Sequence, residues 1–240
     1  MNEDSSKVKR SGNPLIYALY NEPMSGEAIE ARSLDIIEQE APSRPFSYGQ
    51  WQVVKRMLHT TADFGLVDRV RFSDGAIEAA VMALTGGCPI FVDSNMIRAG
   101  ISLARLRAAC EKYSPESLIC HVADEDVAAA ARAAGLPRSL YAVRKARSSL
   151  ENGIAVFGNA PVALMELNRL ILEEEIRPAF VIAMPVGFVH VTESKDEFMS
   201  LGVPYVAVAG RRGGSPLAVS ALHALCGLAA EGQQDKFGIQ

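Results

Sequence analysis

Short apolar runs alternate with longer amphipathic stretches along most of this chain. Five runs stand out: Pro89–Val92, Ser117–Val122, Ile154–Phe157, Phe180–Met184 and Tyr205–Ala209. Short runs without strict polar alternation are those of strands buried on both faces. Before, between and after them, apolar positions recur at helical spacing over 25–40, 48–64, 75–85, 96–110, 124–135, 139–150, 161–175, 195–200 and 216–230. Strand–helix alternation predicts an α/β fold, a mostly parallel central sheet flanked by helices. Two helices precede the first strand, so the expectation is a single domain with a helical N-terminal part. Residues 1–24 are polar and contain proline, and read as a flexible N-terminal arm. The α/β domain is expected over 25–230 and a C-terminal tail over 231–240.

One local pattern repeats. A strand ends, and a polar or glycine-rich turn leads into a helix. The turns are Val92-Asp93-Ser94-Asn95, Phe157-Gly158-Asn159-Ala160-Pro161, Met184-Pro185-Val186-Gly187-Phe188 and Gly210-Arg211-Arg212-Gly213-Gly214-Ser215. In open α/β sheets, ligands collect at the carboxyl ends of the strands. Glycines let backbone N–H groups approach a ligand, and helix N-termini favour anions. With Arg211, Arg212 and Lys195 adding full charges, such a crevice suits a multiply anionic small molecule.

Composition narrows the classes. The 240 residues suffice for one large domain or two small ones, and the balance of 49% hydrophobic and 22% charged is globular. A net charge of −4 carries no basic footprint for nucleic acid, and one Trp with 7% aromatics offers few stacking platforms. No apolar run approaches the roughly 18 residues of a membrane span, and the first residues lack a signal peptide's apolar stretch. Cys88, Cys110, Cys120 and Cys226 form no C-x-x-C pair or ligand spacing. The expectation is therefore a reduced cytoplasmic protein with no metal site. No Walker A loop, no G-x-G-x-x-G after a strand and no G-x-S-x-G elbow is present, which weakens nucleotide, dinucleotide and esterase readings.

His59 lies within an amphipathic helix whose apolar stripe is Trp51, Val54 and Leu58. Lys55 and Arg56 flank it, and Asp63, four residues ahead, is placed to orient the imidazole. On spacing alone a packing or surface histidine is the commoner reading, and a proton donor the sharper one. His121, His190 and His223 read as structural. Asn159, ahead of Ala160-Pro161, reads equally as a helix cap and as a ligand contact.

Taken in order, the motifs resemble the precorrin-8X methylmutase family, also met as cobalt-precorrin-8 methylmutase. The resemblance runs from about Ser25 to Leu228. It rests on Glu30–Ile37 (EARSLDII), Val54–His59 (VKRMLH), Gly87–Met96 (GCPIFVDSNM) and Gly158–Leu164 (GNAPVAL). Met184–Val189 (MPVGFV), Glu193–Lys195 (ESK) and Gly210–Ser215 (GRRGGS) complete it. Each motif is weak alone; the series is specific. The resemblance implies an α/β homodimer with its site near the subunit interface. It implies an isomerase of cobalamin biosynthesis that moves a methyl group from C-11 to C-12 of a corrinoid, with no external cofactor. Any cobalt would belong to the substrate. The histidine of the R-M-x-H motif, here His59, is implied as general acid. Arg32, Ser33, Lys195 and Arg211 are implied carboxylate binders, with Arg138 and Ser139 as further candidates. Thr85, Asp93, Asn159 and Ser194 are implied pocket positions.

The chain departs from the family pattern at three points. Pro137 replaces a Thr before Arg138-Ser139, Val162 replaces a Thr after G-N-A-P, and His190 stands where small residues are usual. His190 is expected either to meet a substrate side chain or to pack. Two rival readings accompany the isomerase. One is a corrinoid-holding protein of the same fold without turnover, which His59 in its motif disfavours. The other is a different α/β enzyme for a small carboxylated or phosphorylated substrate, which the motif series disfavours.

Overall fold

A computed structural model describes residues 12, 14–43 and 45–237. The chain divides into two compact units, one up to Glu40 and one from Ala41. The first unit holds α1 (Ile16–Asn21) and α2 (Gly26–Glu40). Part of the expected loose arm is thus helical. Tyr17 and Tyr20 lie three apart on α1, and their rings meet edge to face at 5.7 Å. Helix α2 starts where Ser25 Oγ accepts the N–H of Ala28.

The second unit opens with α3 (Tyr48–Thr61), started by a capping box in which Ser47 and Gln50 exchange side-chain and backbone hydrogen bonds. There follow β1 (Val70–Phe72), α4 (Ala76–Gly86), β2 (Ile90–Val92), α5 (Asn95–Gly100), α6 (Leu103–Ala109) and β3 (Leu118–Ile119). Next come α7 (Glu125–Ala134), α8 (Arg138–Lys145), α9 (Arg147–Leu150), β4 (Ile154–Phe157) and α10 (Pro161–Glu174). The unit ends with β5 (Phe180–Ala183), α11 (Val191–Met199), β6 (Tyr205–Val208) and α12 (Ser215–Phe237). Part of the expected C-terminal tail is therefore helix; residues 238–240 lie outside the described residues.

The strands form one sheet in the order β1-β6-β5-β4-β2-β3, parallel except for β1, which runs antiparallel to β6. The α/β class and the five expected strands are present. Strand β1 was not expected: Arg71 interrupts its apolar character, because this edge strand is buried at Val70 and exposed at Arg71. The central strands β2, β4 and β5 are buried at every position.

Side-chain alternation splits the core in two. Phe91, Ala155, Phe157, Val181, Ala183 and Ala207 pack with residues of α8–α11, and the Phe91 and Phe157 rings lie 5.8 Å apart. The alternate positions, such as Val156 and Ile182, lie on the opposite face of the sheet. There α4 meets β5, and α12 meets β4 and β5. Helices on both faces leave the strand ends as the open edges.

Candidate active site

Strand order reverses between β2 and β4. The chain leaves β2 toward β3 on one side, and leaves β4 toward β5 on the other. In α/β sheets such a reversal point at the carboxyl edge is where ligands collect. Asp93, one residue past β2, joins the two loops there. Its carboxylate accepts the N–H groups of Gly158 (3.2 Å), Asn159 (2.9 Å) and Ala160 (2.9 Å) in the loop after β4. The side chain is 1% exposed. Burial pushes its carboxyl up to about 6, and the three N–H groups pull it back down. Asp93 therefore meets backbone rather than presenting a free carboxylate. It also takes the capping role open to Asn159: the N-cap of α10 is Ala160, with Pro161 in the first turn, and the Asn159 side chain is exposed.

The loop from Gly210 to Ser215 is fixed from three directions. Ser215 Oγ lies 3.2 Å from Ser94 Oγ, in the loop after β2. Gly214 N–H donates to Met184 O, after β5, at 2.8 Å. Two glycines allow this approach: a Cβ at Gly213 would stand 2.2 Å from Met184 O, and one at Gly158 would stand 2.9 Å from Ser215 Cα. The third hold is Lys195 on α11. Fully buried, its Nζ donates to Val208 O (2.8 Å), Gly210 O (2.9 Å) and Arg212 O (2.7 Å). Burial lowers its ammonium to about 8, against a raising influence from Asp196.

His59 is half-buried on the last turn of α3. Asp63, just past that turn, does not orient it. Among the described residues its carboxylate accepts Gly65 N–H at 2.9 Å and pairs with Arg212. The spacing allowed the imidazole contact, but the turn after α3 points Asp63 at the loop. The ion pair fastens the histidine-bearing end of α3 to the Gly210–Ser215 loop. Arg211 remains exposed, its guanidinium 5.5 Å above the exposed Phe188 ring. A cleft of about 320 Å³ opens between α3, α5 and α12, lined by Arg56, Thr60, Met96, Ser215, Ser220 and His223 among others. Asp63, Arg212, Ser94 and Ser215 all stand out in the sequence, but the Asp63–Arg212 and Ser94–Ser215 joints they make do not.

The remaining candidates lie on other elements. Ser194, on α11, is buried and donates to Val191 O at 3.0 Å. His190 is exposed ahead of α11, in a left-handed conformation with φ 55°, so it does not pack. Thr85 donates to Val81 O at 2.9 Å near the end of α4, which leads to the amino end of β2. Ser139 is buried and Arg138 exposed in the first turn of α8. The length of α7, about 15 Å, separates them along the chain from the carboxyl end of β3. Arg32 and Ser33 lie on α2 of the first unit, where Ser33 Oγ donates to Ile29 O at 2.8 Å. Among the described residues no group of three or more His, Cys, Asp or Glu could hold a metal ion, and all four cysteines are free. No described helix is long and apolar enough to cross a membrane.

Known proteins share this architecture. A family model described as Precorrin-8X methylmutase matches residues 28–228. A cobalt-precorrin-8 methylmutase of Leptospira interrogans is 39% identical over 209 residues, covering 83% of this chain and 92% of the relative. A precorrin-8X methylmutase of Pseudomonas aeruginosa is 38% identical over 202 residues, covering 83% and 94%. The solved structure of the precorrin-8x methyl mutase from Thermus thermophilus superposes with a TM-score of 0.78 at 42% identity, covering 86% of this chain and 98% of that one. Spanning nearly the whole length of such relatives, the chain belongs to the precorrin-8X methylmutase family of isomerases.

Proposed function

We propose that this protein moves a methyl group from C-11 to C-12 of precorrin-8X or cobalt-precorrin-8, yielding hydrogenobyrinate or cobyrinate, with His59 as the general acid. The carrying observation is the convergence at one sheet edge. Four strand-end loops lock together there, and the His59 end of α3 is tied to them through Asp63 and Arg212. The substrate macrocycle is flat and apolar in its faces and ringed with carboxylates. Arg211 offers a charged donor for one of these. The exposed Phe188, Val189 and Met96 offer apolar surface to the ring. The His59 imidazolium lends a proton near ring C, drawing electron density from the migrating methyl's origin. The proton returns as the product forms, because substrate and product are isomers. Acid catalysis of this kind contributes roughly 10²–10⁴-fold, and rigid positioning adds to it.

Arg32, Ser33, Arg138 and Ser139 are assigned to further carboxylates, and Thr85, Asn159 and Ser194 to the pocket, by their motifs. A homodimer whose protomers share the site is part of the same reading. No cofactor is assigned, any cobalt is substrate, and the compartment is the cytoplasm. Relatives named for the cobalt-bearing and the unqualified substrate stand at nearly equal identity, 39% and 38%. Both forms therefore enter the test. Wild type and His59→Ala are mixed anaerobically with each precursor, and absorbance is followed. Conversion to the corrin chromophore by wild type only is the expected result. Full conversion by His59→Ala removes the acid role. Binding without conversion by wild type points to a corrinoid carrier.

A further inference from the structure

Lys195 sits in the E-S-K motif, where the family resemblance suggests a substrate-carboxylate contact. The structure points elsewhere. The ammonium is 0% exposed and has three hydrogens, and three carbonyls lie within hydrogen-bond distance, at 2.8, 2.9 and 2.7 Å. None of its hydrogens is left for a carboxylate. The acceptors alternate along the chain, at Val208, Gly210 and Arg212. Between the last two stands Arg211, exposed at the rim over Phe188. Its own carbonyl accepts Gly187 N–H at 3.4 Å. The backbone that carries this exposed cation is thus gripped on both sides of Arg211 and tied to the loop after β5. The ammonium's lowered pKa, caused by burial, fits a cation held by dipoles rather than by a carboxylate.

We infer that Lys195 is a positioning residue, which sets the place of Arg211 by gathering the carbonyls of Val208, Gly210 and Arg212 and does not itself meet the substrate. The inference rests on the proposed corrinoid reading for its ligand arm only. Its mechanical arm stands apart from any ligand. Removing the ammonium leaves three carbonyls without their shared donor, so the segment moves and Arg211 with it. Arginine is no substitute, because its planar fork cannot converge three hydrogens on one centre.

Two measurements on the full chain test this. One is equilibrium dialysis of cobyrinate against wild type, Lys195→Met, Arg211→Ala and the double variant. The other is the rate of tryptic cleavage after Arg211 and Arg212 without ligand. Positioning predicts cleavage at least about tenfold faster in Lys195→Met, since the loop opens more often. It predicts an affinity loss of roughly 10- to 100-fold, as for one charge-assisted contact, equal to that of Arg211→Ala and not deepened in the double variant. Additive losses with unchanged cleavage would establish direct contact and overturn the inference. Faster cleavage with unchanged cobyrinate affinity would also overturn it. Should Lys195→Met show no cooperative urea transition, Lys195→Arg is read in its place. Loss in both assays supports positioning, and wild-type behaviour refutes it. If wild type binds no cobyrinate, the corrinoid reading fails, and the cleavage rates alone decide whether Lys195 holds the loop.

Discussion

Two buried charges of opposite sign work at the carboxyl edge, and both act on backbone. Asp93 collects amides from the loop after β4, while Lys195 collects carbonyls around the end of β6. A buried charge is tolerated when dipoles of the right sense replace water around it. Asp93→Asn keeps the shape but turns one acceptor into a donor that faces N–H groups. We expect it to lower unfolding free energy by about 2–3 kcal/mol, the cost of unsatisfied buried donors, read as a shift in the urea midpoint. An unchanged midpoint would show that the amides find other partners. Both residues were legible as members of motifs beside glycine-rich turns. What their charges face was not, because the spacing of a charge within a motif is the same whether it points at backbone or at a ligand.

At the scale of elements, the turns after the strands pack closely. Gly213 lies against the carbonyls of Met184 and Pro185, which a Cβ would approach to 2.2 and 2.6 Å. Gly213→Ala forces these loops apart. The expected cost is about 1–3 kcal/mol, as for overpacking elsewhere, with weakened cobyrinate binding because Arg211 shares the loop. Thermal unfolding and dialysis check the two effects; wild-type values in both would place slack in the loop. Most helices and all five expected strands were visible in periodicity and apolar runs. The helix expected over 96–110 is instead two. Ser102 breaks it: its side chain accepts Arg105 N–H at 3.4 Å, and its own N–H donates to His223 Nε2 at 2.9 Å. The cap is local, but the acceptor comes from α12, outside any local window.

Across the whole molecule, the same His223 ties stability to pH. Burial, with Arg105 and Arg56 nearby, lowers its pKa to about 4, and the neutral ring accepts from Ser102. Between pH 6.5 and 4 the unfolded chain takes up a proton that the folded chain refuses, so stability falls as pH falls. Asp93 runs the other way. Its carboxyl is raised to about 6 in the fold, so between pH 6 and 3.8 the folded chain binds the extra proton and gains stability. The urea midpoint of His223→Gln should therefore fall less than that of wild type on going from pH 6.5 to 4. Parallel profiles would show that the ring takes up its proton equally in the folded and the unfolded chain. These couplings mark the division between what was readable and what was not. Apolar periodicity and turn composition were enough, by themselves, to determine the α/β class and the strand-end turns, and the motif series carried the resemblance to the family. Each depends on neighbours within a few residues. Folding decided the rest: the antiparallel β1, the break at Ser102, the pairing of Asp63 with Arg212, and the backbone duties of Asp93 and Lys195. Asp93 meets Gly158 at a separation of 65 residues, and Ser102 meets His223 at 121. Hydrogen bonds of that span exist only once the sheet and its helices have brought their partners together.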